Sequence, residues 1–349
     1  MAQPYKIFGN ELSPYSIKVR SYFRYKQIPH EWVIRNNTNQ EEFQRHAKLP
    51  LIPLVVAPDG QSLQDSTPII EHFESAFPEP SIHPADPALA FLSAFIEEYG
   101  DEWSNKPMFH YRWFYEPDQK SAAERIARSM MPDLAEDGVA GVADMVKGRM
   151  VPRLKFVGSS PATKDQIEGS LLRQLRILEA HLARRPYLFG GRPAFADFGL
   201  FAQLHQCSTD PTPAALMRAS APHVVKWIQE MLGPRAEGDF EPWSALAPTL
   251  RPLLHDEVAA VFFPWTTANA KALAAGAKGP EGPLRRGGGQ VGARPDLQGS
   301  RLLHMVAVGS AAAPGTQGCA TRRAAEPAVA AEVRTTGCRA APWPARRSR

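Results

Sequence analysis

The apolar residues of the first 77 positions keep two different periods, and beyond position 77 only one of them persists. Tyr5–Phe8, His30–Ile34 and Leu54–Ala57 read as short strands. The last continues through the turn Pro58-Asp59-Gly60 into Ser62–Leu63, a hairpin. Between them lie helical faces. Ser13–Pro14 supplies an N-cap and a proline at the first helical position. Tyr15, Val19, Tyr22 and Phe23 then recur at i, i+4, i+7 and i+8, with Lys18 and Arg20 expected to turn away. Asn39–His46 reads as a short helix, and Ser66 caps a last one whose face is Ile69, Ile70, Phe73 and Phe77. The order β-α-β-α-β-β-α fits a mixed four-stranded sheet, a parallel first pair joined to an antiparallel hairpin.

Residues 78–87 carry four prolines in ten positions, Pro78, Pro80, Pro84 and Pro87. Such a stretch is stiff and marks a boundary between domains. From 88 to about 265 the faces are helical: Ile167, Leu171, Leu175, Leu178 and Leu182, then Val224, Trp227, Ile228 and Met231. The expectation is an α/β domain over 1–77, a linker over 78–87, and an all-α bundle over 88–265.

The remaining segment, 274–349, is chemically a different object. It holds 12 Lys+Arg against 4 Asp+Glu, a net +8, whereas residues 1–273 carry 28 against 32, a net −4. The chain's overall +4 is therefore a property of this tail. Ala, Gly, Arg and Pro fill 47 of its 76 positions, so it has little to bury and is expected to be disordered. It lacks the interleaved aromatics of a nucleic-acid binder, and no nucleic-acid partner is expected. No apolar run reaches the ~18 residues that span a bilayer, and the start MAQPYKIFGN lacks the pattern of a secretory leader. With three scattered cysteines, a cytoplasmic protein without a disulfide framework or membrane partner is expected.

Three short motifs of the first domain bear on chemistry: Ser13-Pro14-Tyr15-Ser16 opening a helix, Leu51-Ile52-Pro53-Leu54-Val55-Val56 with a proline directly before a strand, and Gln64-Asp65-Ser66-Thr67-Pro68-Ile69-Ile70 opening the last helix. Each is weak alone. In this order and spacing, residues 1–77 resemble the thioredoxin-like domain of cytosolic glutathione transferases, and the helical remainder to about 265 resembles their C-terminal domain.

The resemblance implies roles residue by residue. Pro53 matches the family's cis-proline, which leaves the backbone before it, here Ile52, to pair with a peptide-like ligand. Asp65 and Ser66 match the acidic-Ser pair that holds the γ-glutamyl end of glutathione, Asp65 at the ammonium and Ser66 at the carboxylate. Ser13 matches the position where serine-type members activate the glutathione thiol, with Ser16, one turn on, as the alternative. The run Phe109-His110-Tyr111-Arg112-Trp113-Phe114-Tyr115 has six rings in seven residues. A helix turns only a ~100° stripe inward, so some of these rings are expected to face a cleft or another subunit. His110, Tyr111 and Trp113 are the candidates for the pocket of a small hydrophobic electrophile. In Arg192–Leu200, which matches the family's helix-initiating motif after Gly190-Gly191, Ala194 stands where Ser or Thr normally caps.

What is absent also discriminates. Thiol–disulfide exchange needs cysteine at the position of Ser13, and tyrosine-type members carry a hydroxyl near the end of the first strand, where this chain has Phe8. No metal-ligand spacing is present. The resemblance implies an enzyme of detoxification, a homodimer by family habit, that uses glutathione as co-substrate for attack on an electrophile. The alternative is a non-catalytic glutathione-fold ligand carrier or interaction scaffold.

Overall fold

The computed structural model describes residues 3–274 and the short pairs Lys278–Gly279 and Gly282–Pro283. The rest of the tail, with the disorder expected of it, lies outside the described residues. Strands β1 (Tyr5–Gly9) and β2 (His30–Ile34) are parallel, and β3 (Leu54–Val56) pairs antiparallel with both β1 and β4 (Ser62–Gln64). The sheet order is β2-β1-β3-β4, the mixed sheet expected from the alternation of periods. Helices α1 (Pro14–Tyr25), α2 (Gln40–His46) and α3 (Ser66–Ala76) cover it. The period of two sorts the strands cleanly. Ile7 and Val55 join Val19, Tyr22 and Phe23 of α1 and Ile69, Ile70 and Phe73 of α3 in the main core. Phe8, Leu54 and Val56 fall on the other face, in a separate cluster with Phe43 of α2.

Beyond the proline-rich segment the described chain is helical to Ala274. Helix α4 (Pro87–Tyr99) is capped by Asp86, whose carboxylate accepts from the N–H groups of Ala88 (2.8 Å) and Leu89 (3.3 Å). It passes through a π-helical turn, Gly100–Ser104, into α5 (Asn105–Phe114). There follow α6 (Glu116–Met130), α7 (Glu136–Met150), a 3₁₀ turn over Val151–Val157, α8 (Lys164–Leu182) and α9 (Phe195–Thr209). The last are α10 (Pro211–Ser220), α11 (Pro222–Glu230), α12 (Trp243–Pro252), a π-helical stretch over Leu253–Phe262, and α13 (Phe263–Ala274). Among the described residues no helix is long and apolar enough to cross a membrane.

Helix α9 is the axis of this bundle. Every residue from Phe195 to Leu204 is buried, which places it among helices rather than at a surface. Its tight crossing with the start of the π-turn needs two glycines. A Cβ on Gly100 would lie 2.8 Å from the Gly199 carbonyl carbon, and one on Gly199 would lie 2.8 Å from the Glu97 carbonyl oxygen. The first-turn N–H groups that a hydroxyl at Ala194 would have met are taken instead by the Ile82 carbonyl (Phe195 N–H, 3.0 Å), Ser93 Oγ (Ala196 N–H, 3.0 Å) and the Ala194 carbonyl (Asp197 N–H, 2.9 Å). The fully buried Asp197 carboxylate accepts from Ala194 N–H (2.8 Å), Leu188 N–H (2.9 Å) and the Trp227 indole N–H (3.0 Å). Replacing Asp197 by Ala leaves three buried donors unpaired, at about 1–3 kcal/mol each before relaxation. Asp197→Ala should therefore lose at least ~3 kcal/mol of unfolding free energy in urea denaturation, and a loss below ~1 kcal/mol would contradict this account.

A buried cation sits where the two halves meet. Lys18, expected on the outer side of α1, has no exposed surface. The outer side of this helix is covered by the helical bundle, which a reading of α1 alone could not include. Its ammonium donates to Glu97 of α4, to Asp101 of the π-turn (2.6 Å) and to Thr67 of α3 (2.9 Å). Thr67 itself donates to Glu97 (2.7 Å), while Asp101 Oδ1 is buried without a partner among the described residues. One cation against two carboxylates leaves excess negative charge. Burial pushes the Asp101 carboxyl up to about 7, with Lys18 pulling the other way and Glu97 adding to the rise. Between its ordinary value of 3.8 and about 7, the folded protein holds a proton that the unfolded chain releases. This group's contribution to stability is thus largest below 3.8 and declines as pH rises through that window. Urea midpoints measured across it should show that decline flattened in Asp101→Asn. An unchanged slope would contradict it.

Candidate functional site

The register of the sheet gathers the three motifs. Phe8 pairs with Leu54, and Leu54 pairs with Gln64. The chain that leaves β1 after Gly9, the chain that enters β3 through Ile52 and Pro53, and the chain that leaves β4 at Asp65 therefore share one end of the sheet. Two helix N-termini, of α1 and α3, open at that same end, each with backbone N–H groups that no helical carbonyl can satisfy.

Ser13 is the N-cap of α1, in extended conformation and half-buried. Its Oγ accepts from the backbone N–H of Ser16 (3.3 Å) and from the Ser16 hydroxyl (2.9 Å). With both acceptor directions used, the Ser13 hydroxyl hydrogen is left for a further acceptor. Ser16 is fully buried beneath it. A Cβ on Gly9 would lie 2.9 Å from Ser16 Cβ and closer still to the Trp32 ring, so glycine is what lets α1 begin so near the strand end. The neighbouring phenol is otherwise engaged. Tyr15 donates to the Asp101 carbonyl (3.2 Å) and accepts from Asn105 (2.8 Å). Burial, with Asp101 nearby, holds its hydroxyl well above the usual phenol range.

The Ile52–Pro53 peptide bond is cis. Pro53 is buried, Ile52 is half-buried, and Ile52 lies just outside the ladder, which begins at Leu54. No hydrogen bond of the Ile52 backbone is found among the described residues. Asp65 is the N-cap residue of α3 and is exposed, with φ 79° and ψ 124°. That conformation is costly for any residue with a Cβ. Ser66 follows as the first residue of the helix, 3% exposed.

The aromatic helix lies beside these groups but is enclosed. His110 is fully buried, Trp113 is 1% exposed and Tyr111 5%. Helix α5 contacts the π-turn, α6, α8, α9 and the 3₁₀ turn, so the single-stripe geometry assumed from sequence does not hold for it. His110 accepts or donates at Ser159 Oγ (2.7 Å) and at Glu168 (3.1 Å), and burial lowers its affinity for a proton. Lys18, Thr67 and Asp101, to which the motifs assigned no role, are buried at the junction behind these segments. A signal was present, since Tyr15, Lys18, Val19 and Tyr22 stand at i, i+3, i+4 and i+7 on one helix face.

Two family models match the chain: the glutathione S-transferase N-terminal domain over residues 7–81 and the glutathione S-transferase C-terminal domain over residues 161–230. Over these residues the chain carries the N-terminal and C-terminal domains of the glutathione S-transferase family. Similar solved structures include a glutathione S-transferase from Rhodospirillum rubrum F11, 19% identical, covering 72% of this chain and 92% of that one, TM-score 0.43. One from Methylobacterium radiotolerans, in complex with glutathione sulfonate, is 20% identical, covering 69% and 99%, TM-score 0.42. A glutathione transferase from Phanerochaete chrysosporium is 16% identical, covering 69% and 100%, TM-score 0.46. No curated protein matches the chain.

The strained backbone at Asp65 allows a direct test. Gly adopts positive φ at no steric cost, whereas Ala keeps the strain, and both remove the carboxylate. Asp65→Gly should be more stable than Asp65→Ala by about 1–2 kcal/mol in urea denaturation. Equal stabilities would show that this position stores no strain.

Proposed function

We propose that this protein is a glutathione transferase that activates the thiol of glutathione at Ser13 for attack on a small hydrophobic electrophile. The observation that carries the reading is the convergence of Ser13, Ile52–Pro53 and Asp65–Ser66 at one end of the sheet, beside two helix N-termini. On this reading the Ile52 backbone pairs with the peptide-like middle of glutathione. Asp65 meets its ammonium, and Ser66 with the α3 N–H groups meets its carboxylate. The thiol then falls toward the start of α1.

A free thiol has a pKa near ~8.5, so only a few per cent is thiolate at neutral pH. Lowering it by ~2 units takes ~2.7 kcal/mol of preference for the anion. A hydroxyl hydrogen bond to an anion contributes roughly 1.5–3 kcal/mol, and a helix N-terminus about 0.3–1 kcal/mol more. Ser13 at the head of α1 is sufficient on these magnitudes, and its available hydroxyl hydrogen suits the task. The enclosed Ser16 supports it by donating to Ser13. Tyr15 has its hydrogen committed to a carbonyl. The electrophile is placed against the aromatic helix α5, which reaches this end of the sheet through Asn105, hydrogen-bonded to Tyr15. His110, Tyr111 and Trp113, all enclosed, form the inner packing of that helix rather than a surface the electrophile touches. A cytoplasmic homodimer engaged in detoxification completes the reading.

Retention on immobilised glutathione and conjugation of an aryl halide test it on the full chain. Ser13→Ala should lower kcat by about 10–100-fold with glutathione affinity within about threefold, because it removes anion stabilisation rather than ligand contacts. Binding without rate enhancement over several electrophiles would instead identify a ligand carrier. Loss of affinity with normal turnover of the bound enzyme would overturn the role of Ser13.

A further inference from the structure

The loop that presents Ser13 is built by the other domain. Within it, Asn10 supplies the turn: its Oδ1 accepts from Leu12 N–H (2.9 Å) and its carbonyl from Ser13 N–H (3.1 Å). The two carbonyls that this turn leaves pointing outward, those of Glu11 and Leu12, are taken by side chains of the helical bundle. Arg112 Nη1 of α5 donates to the Leu12 carbonyl (3.0 Å), and Gln206 Nε2 of α9 donates to the Glu11 carbonyl (2.8 Å). Arg112 is 4% exposed, and the rest of its fork is fixed as well. Its Nε donates to Asp210 Oδ2 (2.7 Å) and its Nη2 to Gln206 Oε1 (2.7 Å), while Asp210 is held from its other side by Arg125.

We propose that Arg112 is a positioning residue for Ser13. Its planar guanidinium, locked by Asp210 and Gln206, fixes the Leu12 carbonyl and so sets where the next residue's hydroxyl stands. This inference rests on the reading of Ser13 given above. Arg112 is the one residue without a ring in the run Phe109–Tyr115, and its Nη1 bonds the Ser13 loop at Leu12. The geometry needs arginine rather than any cation: three bonds in one plane, to a carboxylate, an amide oxygen and a main-chain carbonyl, are beyond a lysine ammonium. Asp210 and Gln206 belong to the same device. Gln206 orients Arg112 with its oxygen and holds Glu11 with its nitrogen.

The test compares Arg112→Lys, Gln206→Met and Ser13→Ala in the full chain. Its readouts are the pKa of bound glutathione, from thiolate ultraviolet absorbance, and amide hydrogen exchange over residues 10–13. Arg112→Lys keeps the charge and loses the fork, so it separates position from charge. Gln206→Met holds the test open if the arginine variant fails to fold. The expected result is faster exchange at Leu12 and Ser13 in both variants and a thiol pKa raised toward that of Ser13→Ala. The kcat should fall about tenfold with glutathione KM within about threefold. A thiol pKa and loop exchange unchanged in both variants, with Ser13→Ala raising the pKa, would overturn the role of Arg112 alone. If Ser13→Ala leaves the thiol pKa unmoved, the role of Ser13 fails, and that of Arg112 fails with it.

Discussion

One pairing register, Phe8 to Leu54 to Gln64, carries consequences in two directions. Along the strands it sends Ile7 and Val55 to one face and Phe8, Leu54 and Val56 to the other, so both apolar clusters depend on it. A slip of one residue would exchange the two faces and empty both clusters. At the strand ends the same register brings the Ser13 loop, Ile52–Pro53 and Asp65–Ser66 to one edge. Stability and site geometry therefore have a common cause. The hydrophobic pattern that selects the register also selects the place where a ligand can meet three separate segments of chain.

The helical bundle is tied to that edge by polar groups as well as by packing. A buried ammonium with two carboxylates adds little net stability, because desolvation offsets much of its attraction. What such a cluster supplies is a single docking position, since a shift of α1 against α4 would strand a charge in the interior. Thr67 extends the cluster to the first turn of α3, one residue from Ser66. The raised pKa of Asp101 eases the excess negative charge, since the carboxyl takes up a proton more readily than an exposed one. Two of the polar links between the halves involve buried cations: Lys18 ties α1 and α3 to α4 and the π-turn, and Arg112 with Gln206 ties the Ser13 loop to α5 and α9.

Much of this was legible in the sequence because it is local. Strand period, the Ser13–Pro14 cap, the Pro58-Asp59-Gly60 turn and the apolar stripes of α8 and α11 are set by neighbours a few residues apart. What the sequence concealed depends on the other domain. Lys18 looked solvent-facing because its partners stand about 80 residues away, and the rings of α5 looked too many for one core because that helix has neighbours on all sides. Ala194 looked like a lost cap, since the groups that take the first N–H donors of α9, the Ile82 carbonyl and the Ser93 hydroxyl, are more than 100 residues away. Arg112 stood in the flagged aromatic run without a role of its own, because a side chain that bonds a main-chain carbonyl 100 residues away leaves no local pattern.

On the proposed role of Ser13, a serine hydroxyl is a weak device for stabilising a thiolate, and that weakness would account for the amount of structure around it. It brings one donor and no charge, and its value falls steeply once distance or angle drifts from hydrogen-bond geometry. A helix N-terminus adds a modest fixed potential, but only for a group held at its mouth. Each surrounding contact constrains the same atom. Ser16 fills the acceptor side of Ser13 Oγ, Gly9 lets the helix begin close to the strand, and Asn10 closes the turn. Arg112 and Gln206 bind the two carbonyls that would otherwise let the loop swing. A cysteine or tyrosine at this position would carry its own polarisable or acidic group and tolerate a looser frame. For the serine proposed here the chemistry would lie in the placement, and the loop that sets that placement is held by both domains.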